Sequence, residues 1–337
     1  MLQENNFPED LYKYDTENYK RYLQGYAEDL RTSYNRPLRS FTEKINLKKN
    51  IIITGSSWSL NAAKIAGEYL AGKVNITFVE GYSETHKITK DDALIAISHS
   101  GNSEEARTWL KIARRHDAQT LIITNGGKLE EDSFDTPTID LTKNIPSKCS
   151  TFTIIGTLIR LFEDAGLIDN QTQEIQETVD YLRQQNATNL AMNLSKKLYG
   201  VIPLIYSTNT IKNSARKFKK LINSNAKSTA FYNVIPDAEY YEAESFQTKN
   251  ATFHAIIITT SQDTSRVKKR ANIYKETIQN QGISVTELNI KGKGLLKIAT
   301  TIIIGEYTSY YLALRYKKDP LRNDVTEKIK KDMGLFI

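Results

Sequence analysis

Ile95 to Arg107 reads IAISHSGNSEEAR, and Ile256 to Lys268 reads IIITTSQDTSRVK. Each stretch is an apolar run, then a hydroxyl-rich loop, then the start of a charged helix. A strand with apolar side chains on successive residues is buried on both faces, which suits a parallel sheet covered by helices on either side. Finding the unit twice, with Ser98, Ser100 and Ser103 opposite Thr259, Ser261 and Thr264, predicts an internal duplication. The match is incomplete at one point, because Gly101 falls opposite Gln262. A loop whose amides wrap an anion closely is helped by glycine, which adopts left-handed conformations freely. An anion site is therefore expected in the first half only.

The rest of the chain repeats the same grammar. Strands are expected at Asn50 to Thr54, Asn75 to Val79, Ala93 to Ile97 and Gln119 to Thr124, with an apolar helix from Thr151 to Ala165 closed by Gly166. A long polar helix from Gln171 to Asn189 reads as a connector. The pattern restarts with strands at Val201 to Tyr206, His254 to Ile258 and Ser284 to Leu288, an apolar helix from Leu295 to Arg315 and a short basic helix from Val325 to Met333. Residues 1–48 read as a helical, tyrosine-rich segment punctuated by Pro8 and Pro37. The expected organisation is that segment, a first domain over 49–168, a connecting helix over 169–195, a second domain over 196–318 and a terminal helix over 319–337.

The loop from Ser98 to Ser103 carries the clearest chemistry. Ser103 is placed to cap the helix that follows, with Ala106 at its third position and Glu104 and Glu105 in its first turn. Three hydroxyls, a glycine and a helix N-terminus converge there, and orphan amides with the positive helix end make a local anion site. An ordinary strand-to-helix turn with a plain cap explains the same residues, and the residues alone leave both readings open.

Composition excludes several classes. The single cysteine, Cys149, permits no internal disulfide and points to a reducing cytoplasm. One cysteine and four histidines form no metal-ligand cluster, so no metal is expected. The polar, acidic N-terminal stretch does not read as a signal peptide, and no apolar run approaches membrane-spanning length. The net charge is +7, but the basic runs lie on separate expected helices and read as solvated faces, so nucleic acid is not an expected partner. Neither TGSSWSLN nor SHSGNSEE is a G-x-G-x-x-G fingerprint, which argues against a nicotinamide cofactor.

ISHSGNSEEA, preceded by TGSSW, resembles the sugar-isomerase (SIS) phosphosugar-binding family. The segments NSNAKSTAFYNVIPDAEYYE, SQDTSRVKKRANIYKETIQNQG and GEYTSYYLALRYKKDP are similar to the bifunctional phosphoglucose/phosphomannose isomerases. The resemblance implies an α/β fold of tandem flavodoxin-like domains, each a parallel five-stranded sheet flanked by helices. It implies a phosphorylated sugar as ligand, no cofactor, and a homodimer, for which the tyrosines around Tyr240 and Tyr310 would suit an interface. It assigns the sugar phosphate to Ser56 and Ser57 in one loop and to Ser98, Ser100 and Ser103 in the other. Helix capping alone is the competing reading of Ser56 and Ser57. Lys148 falls where the family has an arginine. Lysine keeps the charge and loses the bidentate fork, and an ordinary surface lysine is the competing reading.

The resemblance breaks at the chemistry. Aldose–ketose isomerisation needs ring opening, proton transfer between C1 and C2, and neutralisation of developing charge. The family supplies a glutamate base in Asn-Glu-Asn-Ala-Lys and a histidine sixteen residues later. Here those positions are Ser224 and Tyr240, with no gap between them. Serine is no base unaided, and a phenol of reference pKa near 10 donates a proton better than it accepts one. The candidates to substitute are Glu242, Glu239, Glu244 and a C-terminal lysine, Lys330 with Lys328 as the alternative; each carboxylate otherwise reads as a solvated helix face. His99 and His254 read as structural. A non-catalytic phosphosugar sensor and an enzyme acting on a different sugar phosphate are the competing functions.

Overall fold

Branched and small apolar side chains on successive residues make the two sheets. The computed structural model describes residues 7–45, 47, 50–84, 86–184, 186–248, 250–334 and 336. The chain divides into two compact units, one built on residues 25–180 and the other on residues up to 24 and from 181 onward.

In the first unit, strands β1 (Asn50–Gly55), β2 (Ile76–Val79), β3 (Asp92–Ser98), β4 (Gln119–Thr124) and β5 (Thr138–Asp140) form a five-stranded sheet of order β2-β1-β3-β4-β5. Every pairing in it is parallel. Every residue of β3 is buried, as its position at the middle of the sheet requires. Helix α4 (Glu104–Arg115) lays Trp109, Ile112 and Ala113 against Ile52, Val79 and Leu94. Burying a side chain of that size stabilises by about 1.5–3 kcal/mol. The unit also contains α3 (Ser57–Leu70), α5 (Gly127–Glu131), α6 (Thr151–Asp164) and α7 (Thr172–Arg183).

The tyrosine-rich N-terminal segment is largely helical among the described residues, with α1 spanning Tyr19–Asn35 and α2 spanning Arg39–Thr42. Within the first unit, α1 buries Tyr26, Leu30 and Tyr34. The Tyr26 ring lies 5.1 Å from that of Phe152, and the Tyr34 hydroxyl donates to Glu163 at 2.6 Å. Gly156 of α6 permits the close approach, because a β-carbon there would meet the Ser33 hydroxyl and the Leu30 carbonyl.

In the second unit, β6 (Ile202–Thr208), β7 (Phe231–Ile235), β8 (Phe253–Thr260) and β9 (Ser284–Ile290) form a parallel sheet of order β7-β6-β8-β9. It has four strands among the described residues, where the resemblance implies five. The reason is local: after β9 only Lys291 to Lys293 intervene before the 22-residue α12 (Gly294–Arg315), so no segment remains for a fifth strand. The other helices are α8 (Thr188–Leu198), α9 (Lys212–Asn225), α10 (Asp237–Ser245), α11 (Ser265–Asn280) and α13 (Asp324–Met333). The expected single connector helix is thus two helices, α7 and α8. The short strand β7 and α10 were not among the expected elements, because Phe231 to Ile235 is only partly buried and carries no apolar run.

A buried ion pair fastens this second unit. Lys217 of α9 and Glu306 of α12 lie 3.1 Å apart, exposed by only 1% and 0%. The Tyr19 hydroxyl donates to Glu306 at 2.5 Å, Asn225 donates to Tyr19 and to Ser309, and Ser309 donates to the Glu306 carbonyl. Tyr310 is buried within the same unit beside Tyr19, so it is not an interface residue as expected. Removing one partner leaves the other charge buried, which costs about 3–5 kcal/mol. Lys217→Met is therefore expected to destabilise the protein by that amount in chemical denaturation, with Lys217→Met/Glu306→Leu recovering part of it. A single variant as stable as the parent would contradict this.

Candidate functional site

Strand order reverses between β1 and β3, since β2 lies beyond β1 on one side and β4 beyond β3 on the other. In open parallel sheets the loops at such a point splay apart and leave a crevice at the carboxyl ends of the strands. The two loops there are those the sequence singles out. Gly55 pairs with Ile97, and a β-carbon on Gly55 would lie 2.5 Å from the Ile97 carbonyl oxygen. Glycine is what lets β1 and β3 stay this close where their loops begin.

The loop after β1 places Ser56 and Ser57 at the start of α3. Ser56 is half-buried, and its side chain makes no capping hydrogen bond, so capping does not account for it. Ser57 is exposed and sits at φ +48°, a left-handed conformation uncommon for a residue with a side chain. The loop after β3 is held from within. The Ser98 carbonyl accepts from Gly101 N at 3.1 Å, and the Ser98 hydroxyl accepts from Ser103 N at 3.3 Å. The Ser100 hydroxyl accepts from Asn102 N at 3.4 Å. Ser103 caps α4 as expected, accepting from Ala106 N at 3.2 Å and donating to Glu105 at 3.1 Å. A hydroxyl that accepts one hydrogen bond keeps its own O–H to donate, so the buried Ser98 hydroxyl at the end of β3 remains able to donate.

Gly101 fixes the shape of this loop. It adopts φ +71°, and a β-carbon on it would fall 1.6 Å from the Gly126 carbonyl oxygen. Gly127, also left-handed at φ +70°, meets the Ser100 carbonyl in the same way. The Asn102 side chain accepts from Lys128 N at 3.2 Å, and the Gly101 carbonyl accepts from Leu129 N at 2.8 Å. The loops after β3 and β4 therefore interlock, a role for Asn102, Gly126 and Gly127 that the sequence pattern does not announce.

Lys148 sits in the short 3-10 turn Ser147–Cys149 and is only 4% exposed, which rules out the ordinary surface reading. His99 is buried. Its backbone N–H donates to the Ser59 hydroxyl at 3.0 Å, its ring nitrogen Nδ1 lies 3.4 Å from the Ser147 hydroxyl, and its buried Nε2 has no partner among the described residues. Burial pushes its pKa down, against a backbone hydrogen bond with Thr142 that acts the other way.

The candidate catalytic positions lie in the second unit, and among the described residues no side-chain hydrogen bond joins any two of them. Ser224 donates to Asn323 at 3.1 Å. Tyr240 is 61% exposed, accepts from Arg270 at 3.1 Å and has that guanidinium 5.7 Å from its ring. Glu242 is not a solvated helix residue: it accepts from the Tyr206 hydroxyl and from the Asn233 amide, each at 2.7 Å. Glu239 pairs with Arg270 at 2.9 Å, and Glu244 accepts from Gln247. Lys330 is exposed on α13 and pairs with Glu327 at 2.7 Å. His254 is buried near the start of β8, bonds Thr286 at 2.9 Å, and has its pKa pushed down by burial and by Lys197.

The second sheet reverses its order between β6 and β8. There the Asp263 carboxylate accepts from the hydroxyls of Thr208 and Thr210 and from Thr260 N. The aligned hydroxyls of the duplicated loop are the signal in sequence, but nothing there marks Asp263. Among the described residues no group of three or more His, Cys, Asp or Glu is arranged to hold a metal ion, and no helix is long and apolar enough to cross a membrane.

Comparison with known proteins agrees with this geometry. A family model described as the SIS domain matches residues 44–162, and one described as the bacterial phospho-glucose isomerase C-terminal SIS domain matches residues 187–333. The chain is 29% identical over 294 residues to the bifunctional phosphoglucose/phosphomannose isomerase of Caldicellulosiruptor bescii, covering 80% of this chain and 85% of that one. It is 27% identical over 183 residues to the D-glucosamine-6-phosphate 4-epimerase of Sulfolobus acidocaldarius, covering 52% of this chain and 58% of that one. Tagatose-6-phosphate ketose/aldose isomerase from Escherichia coli superposes with a TM-score of 0.66 at 13% identity, covering 91% of this chain and 94% of that one, a likeness of fold.

His99 supplies a pH test. Its folded pKa lies below the unfolded value of 6.5, so the unfolded state binds more protons, and its contribution to stability is full above that value and lost as pH falls through the folded pKa. The change in melting temperature from about pH 8 to about pH 5 is therefore expected to be less favourable for the parent than for His99→Gln, because His254 and the oppositely signed Asp29, whose carboxyl burial pushes up to about 6, contribute equally to both proteins. Identical slopes for parent and variant would contradict the assignment.

Proposed function

We propose that this chain, which belongs to the SIS family, binds a hexose 6-phosphate on the loops after β1 and β3 and interconverts its aldose and ketose forms with altered catalytic residues. The observation that carries this reading is the loop pair itself. Gly101 is forced left-handed at the crevice, Ser56 is not engaged in capping, and Ser98 retains a donor beside the α4 N-terminus. Each hydrogen bond to a phosphate dianion contributes about 1.5–3 kcal/mol. Ser56, Ser57, Ser98, Ser100 and Ser103 form the proposed anchor, with Lys148 as its buried cation.

The chemistry is assigned to Glu242, Tyr240, Ser224 and Lys330. A carboxylate that accepts two hydrogen bonds still has lone pairs to accept a proton, and Tyr206 and Asn233 keep Glu242 in one orientation, which suits a base. Tyr240 beside Arg270 suits proton donation during ring opening. Ser224 stands where the family's base stands and can only position a hydroxyl, and Lys330 would offset developing negative charge. A positioned acid or base contributes about 10²–10⁴ in rate, so turnover is expected to be slow. The same reading includes a homodimer and a cytoplasmic location.

A second reading is a phosphosugar sensor that keeps the anchor and has lost the reaction. What favours it is the separate engagement of the four side chains: Ser224 by Asn323, Tyr240 by Arg270, Glu242 by Tyr206 and Asn233, and Lys330 by Glu327.

Coupled assays on glucose 6-phosphate, mannose 6-phosphate, fructose 6-phosphate and glucosamine 6-phosphate separate the two, alongside thermal shifts with the same compounds. The isomerase reading expects turnover that Glu242→Gln lowers by about 10²-fold or more while the ligand-induced thermal shift persists. Gly101→Ala is expected to remove both. Thermal shifts with no turnover, and turnover appearing in Ser224→Glu/Tyr240→His, would support the sensor. Absence of any thermal shift at saturating phosphosugar would contradict the anchor and both readings with it.

A further inference from the structure

The two loops that frame the switch point of the second sheet meet on one side chain. Ser207 pairs with Ile258 as Gly55 pairs with Ile97, so Thr208 stands at the place of Ser56. Thr264 caps α11 by accepting from Val267 N, as Ser103 caps α4. Between these two landmarks, Asp263 stands at the place of Asn102. Asp263 is 5% exposed. Its carboxylate accepts from Thr208 Oγ1 at 2.9 Å on both oxygens, from Thr210 Oγ1 at 2.6 Å and from Thr260 N at 2.6 Å. Thr208 is the last residue of β6, Thr210 lies in the turn that follows it, and Thr260 is the last residue of β8. Among the described residues no lysine, arginine or histidine forms an ion pair with it.

A buried carboxylate without a counter-cation needs strong donors. The donors it has are hydroxyls from the first loop and a backbone amide from the second, near the N-terminus of a 16-residue helix. The anchor proposed in the first sheet likewise draws donors from both sides of the switch point, and Thr208 stands at the place of its Ser56. There the residue at the same place, Asn102, is neutral and exposed, and its side chain is turned to Lys128 N. Gln262 in place of Gly101 removes the residue that a loop wrapping a free anion uses.

We propose that Asp263 is a tethered anion that fills, in the second sheet, the position a ligand's phosphate takes in the first. The chain thereby closes its second anion site with its own carboxylate and is left with one. The correspondence to a ligand's phosphate rests on the proposed function, whereas the occupancy of the second site by Asp263 does not.

Asp263→Ala empties the position. Equilibrium dialysis with labelled inorganic phosphate is expected to show one more equivalent bound per chain than the parent binds. Melting temperature is expected to fall in chloride and to recover in phosphate at equal ionic strength, by more than the parent gains. If the first site holds no phosphate, the parent reads zero and the variant one, so failure of the anchor and failure of this inference give different counts. Asp263→Asn covers the case in which Asp263→Ala does not fold. It keeps the shape but turns an amide N–H₂ or a single carbonyl toward donors that need two acceptor oxygens, so it is expected to melt several degrees lower and to bind no added phosphate. An Asp263→Asn protein that melts with the parent, or a folded Asp263→Ala protein that binds no additional phosphate, would overturn the proposal.

Discussion

The carboxyl edge of a parallel sheet is a surplus of donors. Where strand order reverses, two loops leave the sheet in opposite directions, and the amides, hydroxyls and helix N-termini they carry face a crevice with no backbone acceptor in it. Both sheets of this chain have such a point, between β1 and β3 and between β6 and β8. The two halves differ there. In the second, Asp263 supplies the charge from within. In the first, Asn102 is drawn away to Lys128, Gly101 is pressed against Gly126, and Ser56 makes no capping hydrogen bond.

On the proposed function, this difference explains why a duplicated fold carries one site. A duplicated anion loop can diverge by losing its donors or by acquiring its own acceptor. In the second half Thr208, at the place of Ser56, still donates, and Thr210 and Thr260 N donate beside it. The first half kept the glycines instead, at positions where any side chain would collide with backbone. The two loops thus share one architecture and differ at two neighbouring residues, Gly101 against Gln262 and Asn102 against Asp263.

Much of this was legible in the sequence because the physics is local. Runs such as Ile51 to Ile53 and Ala93 to Ile97 are apolar on successive residues, and they are the buried strands. Ser103 caps α4 because a hydroxyl three residues before an amide reaches it without help from the rest of the fold. What stayed illegible depends on partners distant in the chain. Lys148 reads as a surface residue until the fold buries it, and Glu242 reads as solvated until Tyr206 and Asn233 arrive beside it. β7 lies at a sheet edge, half-buried, so its residues alternate too weakly to declare a strand. Asp263 has the composition of an ordinary loop acid, and only the meeting of two loops more than fifty residues apart gives it a role.

The central claim is that the crevice between the loops after β1 and β3 holds a sugar phosphate. A crystal structure of the protein grown with a hexose 6-phosphate tests it most directly. The account predicts phosphate oxygens within hydrogen-bond distance of the Ser56 and Ser98 hydroxyls and of the Gly101 loop amides, with the Asp263 position unchanged. A phosphate bound elsewhere, or a sugar held with its phosphate in solvent, would contradict it.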